Sequence, residues 1–255
     1  MRPSTTTALP GREYDALFAV LDDCAQATTL AEFKDLLMAS LHERYRFPNT
    51  TFLTGATFRG AFRDPHPVTT GRITPIIDEY TSGWYADDMF ATPQSYAALA
   101  RTRAICHTSL RGLPSEAVTY LDRFLYRHRL RSASVLHLEL AGHSHAMVGV
   151  FDDEDKGIAP ERLASLGLLA RQLSTFAQTL PGQVAPSWRA KLTPRQAQIG
   201  ELVADGHTND EIAATLTIGL DTVKKHVSAV LAATKSRNRV EFAKLVLTER
   251  LTPRT

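Results

Sequence analysis

Thr222, Lys224, Lys225 and Ser228 are interleaved with Val223, Val227, Val230 and Leu231, whose i, i+4, i+7, i+8 spacing marks one apolar side of a helix. The polar residues therefore lie on faces that cannot be core. Lysine and hydroxyl side chains on such a helix are the types that contact base edges and phosphates in a nucleic-acid groove. The preceding stretch supplies a support. Thr208 and Glu211 form a capping box, and Ile212, Ala213 and Leu216 give the helix they open one apolar face. Thr217, Ile218 and Gly219 make a tight connection, with Gly219 as the break, so residues 208–233 read as a helix-turn-helix.

Other chemistry is thinner. His143 and His145 flank a turn two positions apart, but no carboxylate or thiol stands in the same segment to complete a metal site, so they read as solvent-exposed turn histidines. Cys106 beside His107 reads as a small core residue. No nucleophile, base and orienting residue share a diagnostic spacing, and no GxxxxGK loop occurs. Hence no catalytic residue, metal or cofactor is assigned, and the chain is not expected to be an enzyme. Residues 83–90, GWYADDMF, are dense in aromatic and acidic side chains for a connection. Two readings stand for Tyr80, Trp84, Tyr85 and Tyr96 with Asp88: a ligand pocket of aromatics with one polar group, or ordinary core aromatics.

The elements that must position these residues come from periodicity and punctuation. Tyr14, Leu17, Phe18, Leu21 and Cys24 mark a helix over residues 12–27, and Thr29 with Glu32 opens another that ends near Arg46, before Pro48. Residues 50–57 are β-branched and aromatic and read as a strand, with a second expected over 58–63. Pro75, Pro93 and Pro114 each open a helix. The basic run at Arg127–Arg131 suits a helix C-terminus better than a second DNA contact. Residues 135–140 and 146–151 form the clearest hairpin, turning at Ala141 and Gly142, and are expected in the middle of a sheet. A helix over 160–180 leads to the linker PGQVAPS, 181–187.

Residues 191–250 resemble the LuxR-type (GerE/FixJ-like) DNA-binding domain. The resemblance is carried by LTPR at 192–195, Asp205-Gly206, NDEIA at 209–213, TVKKHV at 222–227 and RNRVE at 237–241. It implies four helices, the third in the major groove and the fourth in a dimer contact. By position in the family motif, Lys224, Lys225 and Ser228 would read bases. Thr193, Arg195, Thr208, Asn209, Thr222, Arg237 and Arg239 would hold phosphates, and Val240, Phe242, Ala243, Val246 and Leu247 would form the dimer contact. The sequence departs from the family at Gly219, where a capping Ser is usual, at Gly200, where an apolar residue is usual, and at Ala233-Thr234, which replaces Lys-Leu. Gly200 would cost about 1 kcal/mol against alanine in a helix interior.

The element order of residues 1–180 describes an antiparallel sheet with flanking helices. It resembles the GAF- or PAS-like sensor domains, including the autoinducer-binding domain, found ahead of such helix-turn-helices. Met89 stands where acyl-homoserine-lactone receptors have proline, so that ligand is not assigned. The expectation is an α+β sensor and dimerisation domain over 1–180, a linker over 181–190 and an all-α, four-helix DNA-binding domain over 191–255. Its partners would be double-stranded DNA, a second copy of the chain, a small-molecule effector and RNA polymerase. A response regulator with a degenerate receiver domain is one alternative, although Asp22 and Asp23 lie in a helix rather than at a strand end. A sensor domain that binds a protein instead of a ligand is another.

Charge agrees with this division. Before Pro186 there are 18 basic and 20 acidic residues, a net of −2, and from Pro186 onward 11 and 7, a net of +4. The excess positive charge lies where phosphates would be met. Two cysteines are too few for a disulfide framework, and no apolar run approaches the roughly 18 residues needed to span a bilayer, so a cytoplasmic protein without membrane contact is expected.

Overall fold

Alternation with a period of two decides the sheet. Strands β4 (Ser132–Glu139) and β5 (His145–Asp152) pair antiparallel, with Leu136 opposite Val148 and Val135 opposite Gly149. In the computed structural model, which describes residues 9–153, 157–180, 188–189 and 192–251, strand β1 (Asn49–Gly55) pairs with β5, β2 (Val68–Thr69) with β1, and β3 (Ala104–Cys106) with β4. The order is β2-β1-β5-β4-β3, and every pair is antiparallel. The hairpin lies in the middle, as expected. A receiver domain needs a parallel sheet, so the degenerate-receiver alternative is corrected here.

Both faces of the sheet are buried. Phe52, Leu136, Leu138, Ala146, Val148 and Val150 project from one face into a core closed by helices α1 (Gly11–Cys24) and α2 (Leu30–Tyr45) and a later helix over Pro160–Ala177. Leu53, Val135 and Met147 project from the other into a second core, which continues without a break through Ile199, Val230 and Phe242 near the C-terminus. This second cover is what the hairpin's own pattern does not announce.

Local signals explain most element ends. Thr29 Oγ1 accepts the Glu32 N–H at 3.2 Å and opens α2, while the Glu32 carboxylate reaches back to Thr28 rather than Thr29. The strand expected over residues 58–63 is instead a helical turn, α3 (Phe58–Ala61). Thr57 Oγ1 caps it by accepting the Gly60 N–H at 3.0 Å, and the chain folds back so closely that a Cβ on Gly55 would lie 2.3 Å from the Ala61 nitrogen.

Helices α4 (Ile77–Ser82), α5 (Pro93–Thr102) and α6 (Ser115–Tyr120) follow, and α6 runs on as a π-helix over Leu121–Tyr126. Beyond it, Arg127 and His128 both reach Glu79, and Arg131 lies over the Tyr126 ring, so much of the basic run is engaged locally. Helix α7 (Pro160–Ala177) completes the first layer. The expected linker residues 181–187 lie outside the described residues. Within the expected linker range 181–190, Trp188 and Arg189 are buried, Trp188 edge-on against Phe242 at 5.3 Å.

The four expected C-terminal helices are α8 (Pro194–Ala204), α9 (Asn209–Leu216), α10 (Leu220–Thr234) and α11 (Arg239–Leu251). Capping boxes at Thr193 with Gln196 and Thr208 with Glu211 open α8 and α9, whereas α10 begins after Gly219 without a side-chain cap. Gly200 has a packing reason. A Cβ there would stand 3.0 Å from the Trp188 ring and 3.3 Å from that of Phe242, so the helix gives up a methyl group to seat two aromatics.

Candidate nucleic-acid interface and effector cavity

Helix α10 owes its position to Val223 and Val230, both fully buried, which hold it across α8 and α9. Thr222, Lys224, Lys225 and Ser228 are thereby left exposed. Lys224 Nζ is 3.8 Å from Asp221, an exposed pair that constrains it little, and all four side chains can meet a groove.

The residues expected to hold phosphates divide in two. Thr193 and Thr208 are N-caps, and Asn209 opens α9, so this group surrounds helix N-termini, where backbone N–H groups and the helix dipole favour anions. Arg237 is well exposed and, among the described residues, pairs with Glu241 four positions on. Arg195 instead donates to Gln198 Oε1 at 2.6 Å and to the Leu216 carbonyl, tying α8 to the end of α9. Arg239 donates to the His207 carbonyl and braces the turn before α9. Both arginines have structural work within the fold.

The dimer set also divides. Phe242 and Val246 are fully buried against Trp188 and the α8 helix, which corrects their assignment to a subunit contact. Their i, i+4 spacing is the core stripe of α11. Val240 and Leu247 are 60% and 47% exposed, and with half-buried Ala243 they form the face of α11 that remains available.

A narrow cavity of about 30 Å³ lies between the second face of the sheet and the segment from Ile73 to Leu125. Apolar side chains line most of it, including Leu53, Phe62, Ile76, Phe124 and Met147. Polar character is concentrated at Asp88, whose carboxylate accepts from the Tyr80 hydroxyl at 3.0 Å and from the Phe90 N–H at 2.8 Å, with Tyr120 as a further donor. Burial pushes the Asp88 carboxyl up to about 6 despite these donors, which favour its ionised form. Gly149 keeps the wall open, for a Cβ there would meet Thr51 Oγ1 at 2.5 Å.

Of the five residues expected around a ligand, only Tyr80 and Asp88 line this cavity. Trp84 packs behind its wall, tilted on Phe124 at 5.8 Å, with Nε1 donating to Glu79 Oε1 at 3.1 Å. Tyr85 lies under the Arg63 guanidinium, and Tyr96 packs on Phe58 at 4.6 Å, facing Gln198 of α8. Tyr120 and Phe124 were the missed members. They sit four apart in the run of Val118, Leu121 and Leu125, where a helical wheel makes them a second stripe. Cys106 is buried, as read. Its Sγ lies 3.7 Å from His107 Nδ1, and although burial raises the thiol, hydrogen bonds from His107, Ser134 and Thr108 pull it down to about 6.

His145 overturns an expectation. It is the first residue of β5, buried rather than exposed, with Nε2 2.6 Å from Glu201 of α8 and Nδ1 2.8 Å from His137 Nε2. Glu201 also pairs with Arg189, so an acid of α8 is held within the sheet's second cover.

The α8–α11 arrangement with a basic third helix defines a helix-turn-helix DNA-binding unit. Residues 190–246 match the family described as bacterial regulatory proteins, luxR family. Over 63 residues the chain is 40% identical to the probable transcriptional regulator ycf29 of Cyanophora paradoxa, covering 25% of this chain and 30% of that protein. Over 61 residues it is 44% identical to the nitrate/nitrite response regulator protein NarL of Escherichia coli K12, covering 24% and 28%. The matched part thus spans under a third of these relatives' length. Among solved structures, Escherichia coli SdiA aligns over 92% of this chain and 97% of its own, at 16% identity and a TM-score of 0.48. No helix among the described residues is long and apolar enough to cross a membrane.

Proposed function

We propose that the chain is a one-component transcriptional regulator whose α10 reads the major groove as a homodimer and whose N-terminal α+β domain takes a small molecule in the Asp88 cavity. The observation that carries this reading is the exposed row Thr222, Lys224, Lys225 and Ser228 on a helix anchored by buried Val223 and Val230. Lys224, Lys225 and Ser228 contact bases. Thr193, Thr208, Asn209, Thr222 and Arg237 contact phosphates, while Arg195 and Arg239 chiefly hold the helices that present them. A DNA target places the protein in the cytoplasm, with RNA polymerase as the partner through which bound protein changes transcription. The test is a titration of the full chain against a selected duplex and a random one at several salt concentrations. Binding to neither at low salt would end the proposal.

Two copies related by a two-fold place their α10 helices in successive major grooves, so half-sites about one helical turn apart are expected. The exposed face of α11 supports this pairing. Val240→Asp with Leu247→Asp is expected to weaken binding to the two-half-site duplex by tenfold or more while the far-ultraviolet circular dichroism is unchanged. A sedimentation experiment showing the same dimer in the double variant would remove α11 from the interface.

An effector for this cavity is slender and apolar, with a donor group for Asp88. Asp88→Asn keeps the shape but removes the charge. A hydrogen bond to a buried charge contributes about 1.5–3 kcal/mol, so co-purifying small molecules detected by native mass spectrometry should fall to a few per cent of wild type. Trp84→Ala, outside the cavity, should retain more of them. An empty wild-type protein would turn the N-terminal domain into a protein-binding or dimerisation module.

A further inference from the structure

His137, His145, Glu201 and Arg189 form one buried row from the sheet to the helix-turn-helix, and half-buried Arg103, which also pairs with Glu139 at 2.8 Å, stands at its outer end. Arg103 can only donate, and its Nη1 lies 3.5 Å from His137 Nδ1. His137 Nε2 then donates to His145 Nδ1, His145 Nε2 donates to the Glu201 carboxylate, and Arg189 balances that carboxylate's charge. A single tautomer, Nε2–H on both rings, satisfies every link. Burial, aided by the Arg103 charge, holds the His137 imidazole neutral by pulling it down to about 3. The two ring planes lie within 20° of each other with centroids 5.0 Å apart, the edge-to-edge arrangement that an in-plane hydrogen bond requires.

The position of this row matters. His137 is two residues from Val135, and His145 two from Met147, so both histidines share the sheet face that lines the cavity. His137 and Met147 are direct partners across the ladder. No loop intervenes between the cavity wall and Glu201.

We propose that this row is a clasp that locks the helix-turn-helix to the sensing sheet and passes displacements of the cavity wall to α8, which packs directly under α10. Arg189 reinforces it from the other side by donating to the Ala56 carbonyl at 2.7 Å. The coupling part of the proposal rests on the cavity reading above; the clasp itself does not.

The experiment uses the full chain and cuts the row from each end. Glu201→Gln removes the carboxylate charge that links Arg189 to His145, whereas His145→Leu breaks the sheet side and leaves the Arg189–Glu201 pair intact. Hydrogen exchange at Leu202 and Val203 of α8 and at the β4–β5 end should accelerate by about tenfold in both variants, with helicity kept and one thermal transition split into two. A single transition at the wild-type midpoint with unchanged exchange in both variants overturns the clasp. So does loss of the whole fold in both, which would make the row a core element and not a joint.

Transmission is read with a cavity-wall substitution instead of a ligand. Gly149→Ala presses on Thr51 and Phe151. It should change α8 exchange and the midpoint of a random-duplex titration at low salt several-fold in the wild-type background, and leave both unchanged beside His145→Leu. Equal effects in both backgrounds overturn the transmission. Exchange coupling without any DNA binding would sink the proposed function and leave the clasp standing.

Discussion

Phe242→Ala is expected to destabilise the C-terminal helical unit by about 3–5 kcal/mol, the usual range for removing a buried aromatic ring. The ring is fully buried, meets Trp188 edge-on at 5.3 Å and fills the space that Gly200 leaves open. Collapse around the void is restricted, because α8, α10 and α11 are each fixed by other contacts in the same cluster. Urea unfolding followed by Trp188 fluorescence would measure it through a lower midpoint at an unchanged slope. A loss below about 1 kcal/mol, smaller than the usual cost of even a modest core truncation, would mean that Phe242 faces a subunit contact after all.

Lys225→Ala is expected to lower affinity for a cognate duplex by about 1–3 kcal/mol while leaving random-duplex binding nearly unchanged, since base contacts specify and phosphate contacts position. Its side chain is exposed on the first turns of α10, clear of the Asp221–Lys224 pair. Arg237→Ala should behave differently, weakening both duplexes alike and reducing the slope of log affinity against log salt by about one. Arg239→Ala should act mainly on stability, because its guanidinium serves the His207 carbonyl. Parallel losses on cognate and random DNA for Lys225→Ala and Arg237→Ala would remove Lys225 from base readout.

The elements that were legible are those whose signals are local. The capping box at Thr208 and the valine stripe of α10 each involve residues within a few positions of one another. The β4–β5 hairpin was legible because period-two alternation survives wherever one face is apolar. Residues 58–63 misled because Phe and β-branched neighbours suit a strand, while a single Thr57 cap and the close approach of Gly55 to Ala61 turn the chain into a helix. Strands β2 and β3, two and three residues long, are too short to carry a period.

By itself the sequence determined the two helices of residues 208–233, the exposure of Lys224 and Lys225, and the antiparallel sheet with helices around it, because capping, periodicity and charge act through near neighbours; the helices on either side of that pair were implied by the family resemblance. Only the tertiary structure decided which aromatics line the cavity: Tyr80 joins Tyr120 and Phe124, from another helix, while Trp84 and Tyr96 turn to other partners. It also decided that Phe242 and Val246 are core and that His145 is buried. A histidine next to a turn is solvated unless something distant covers it, and here the cover is Glu201, 56 residues further along the chain. Burying that carboxylate requires a balancing charge and donors, and these come from Arg189 on one side and the sheet's own histidine pair on the other, a match that exists only once the two layers have met.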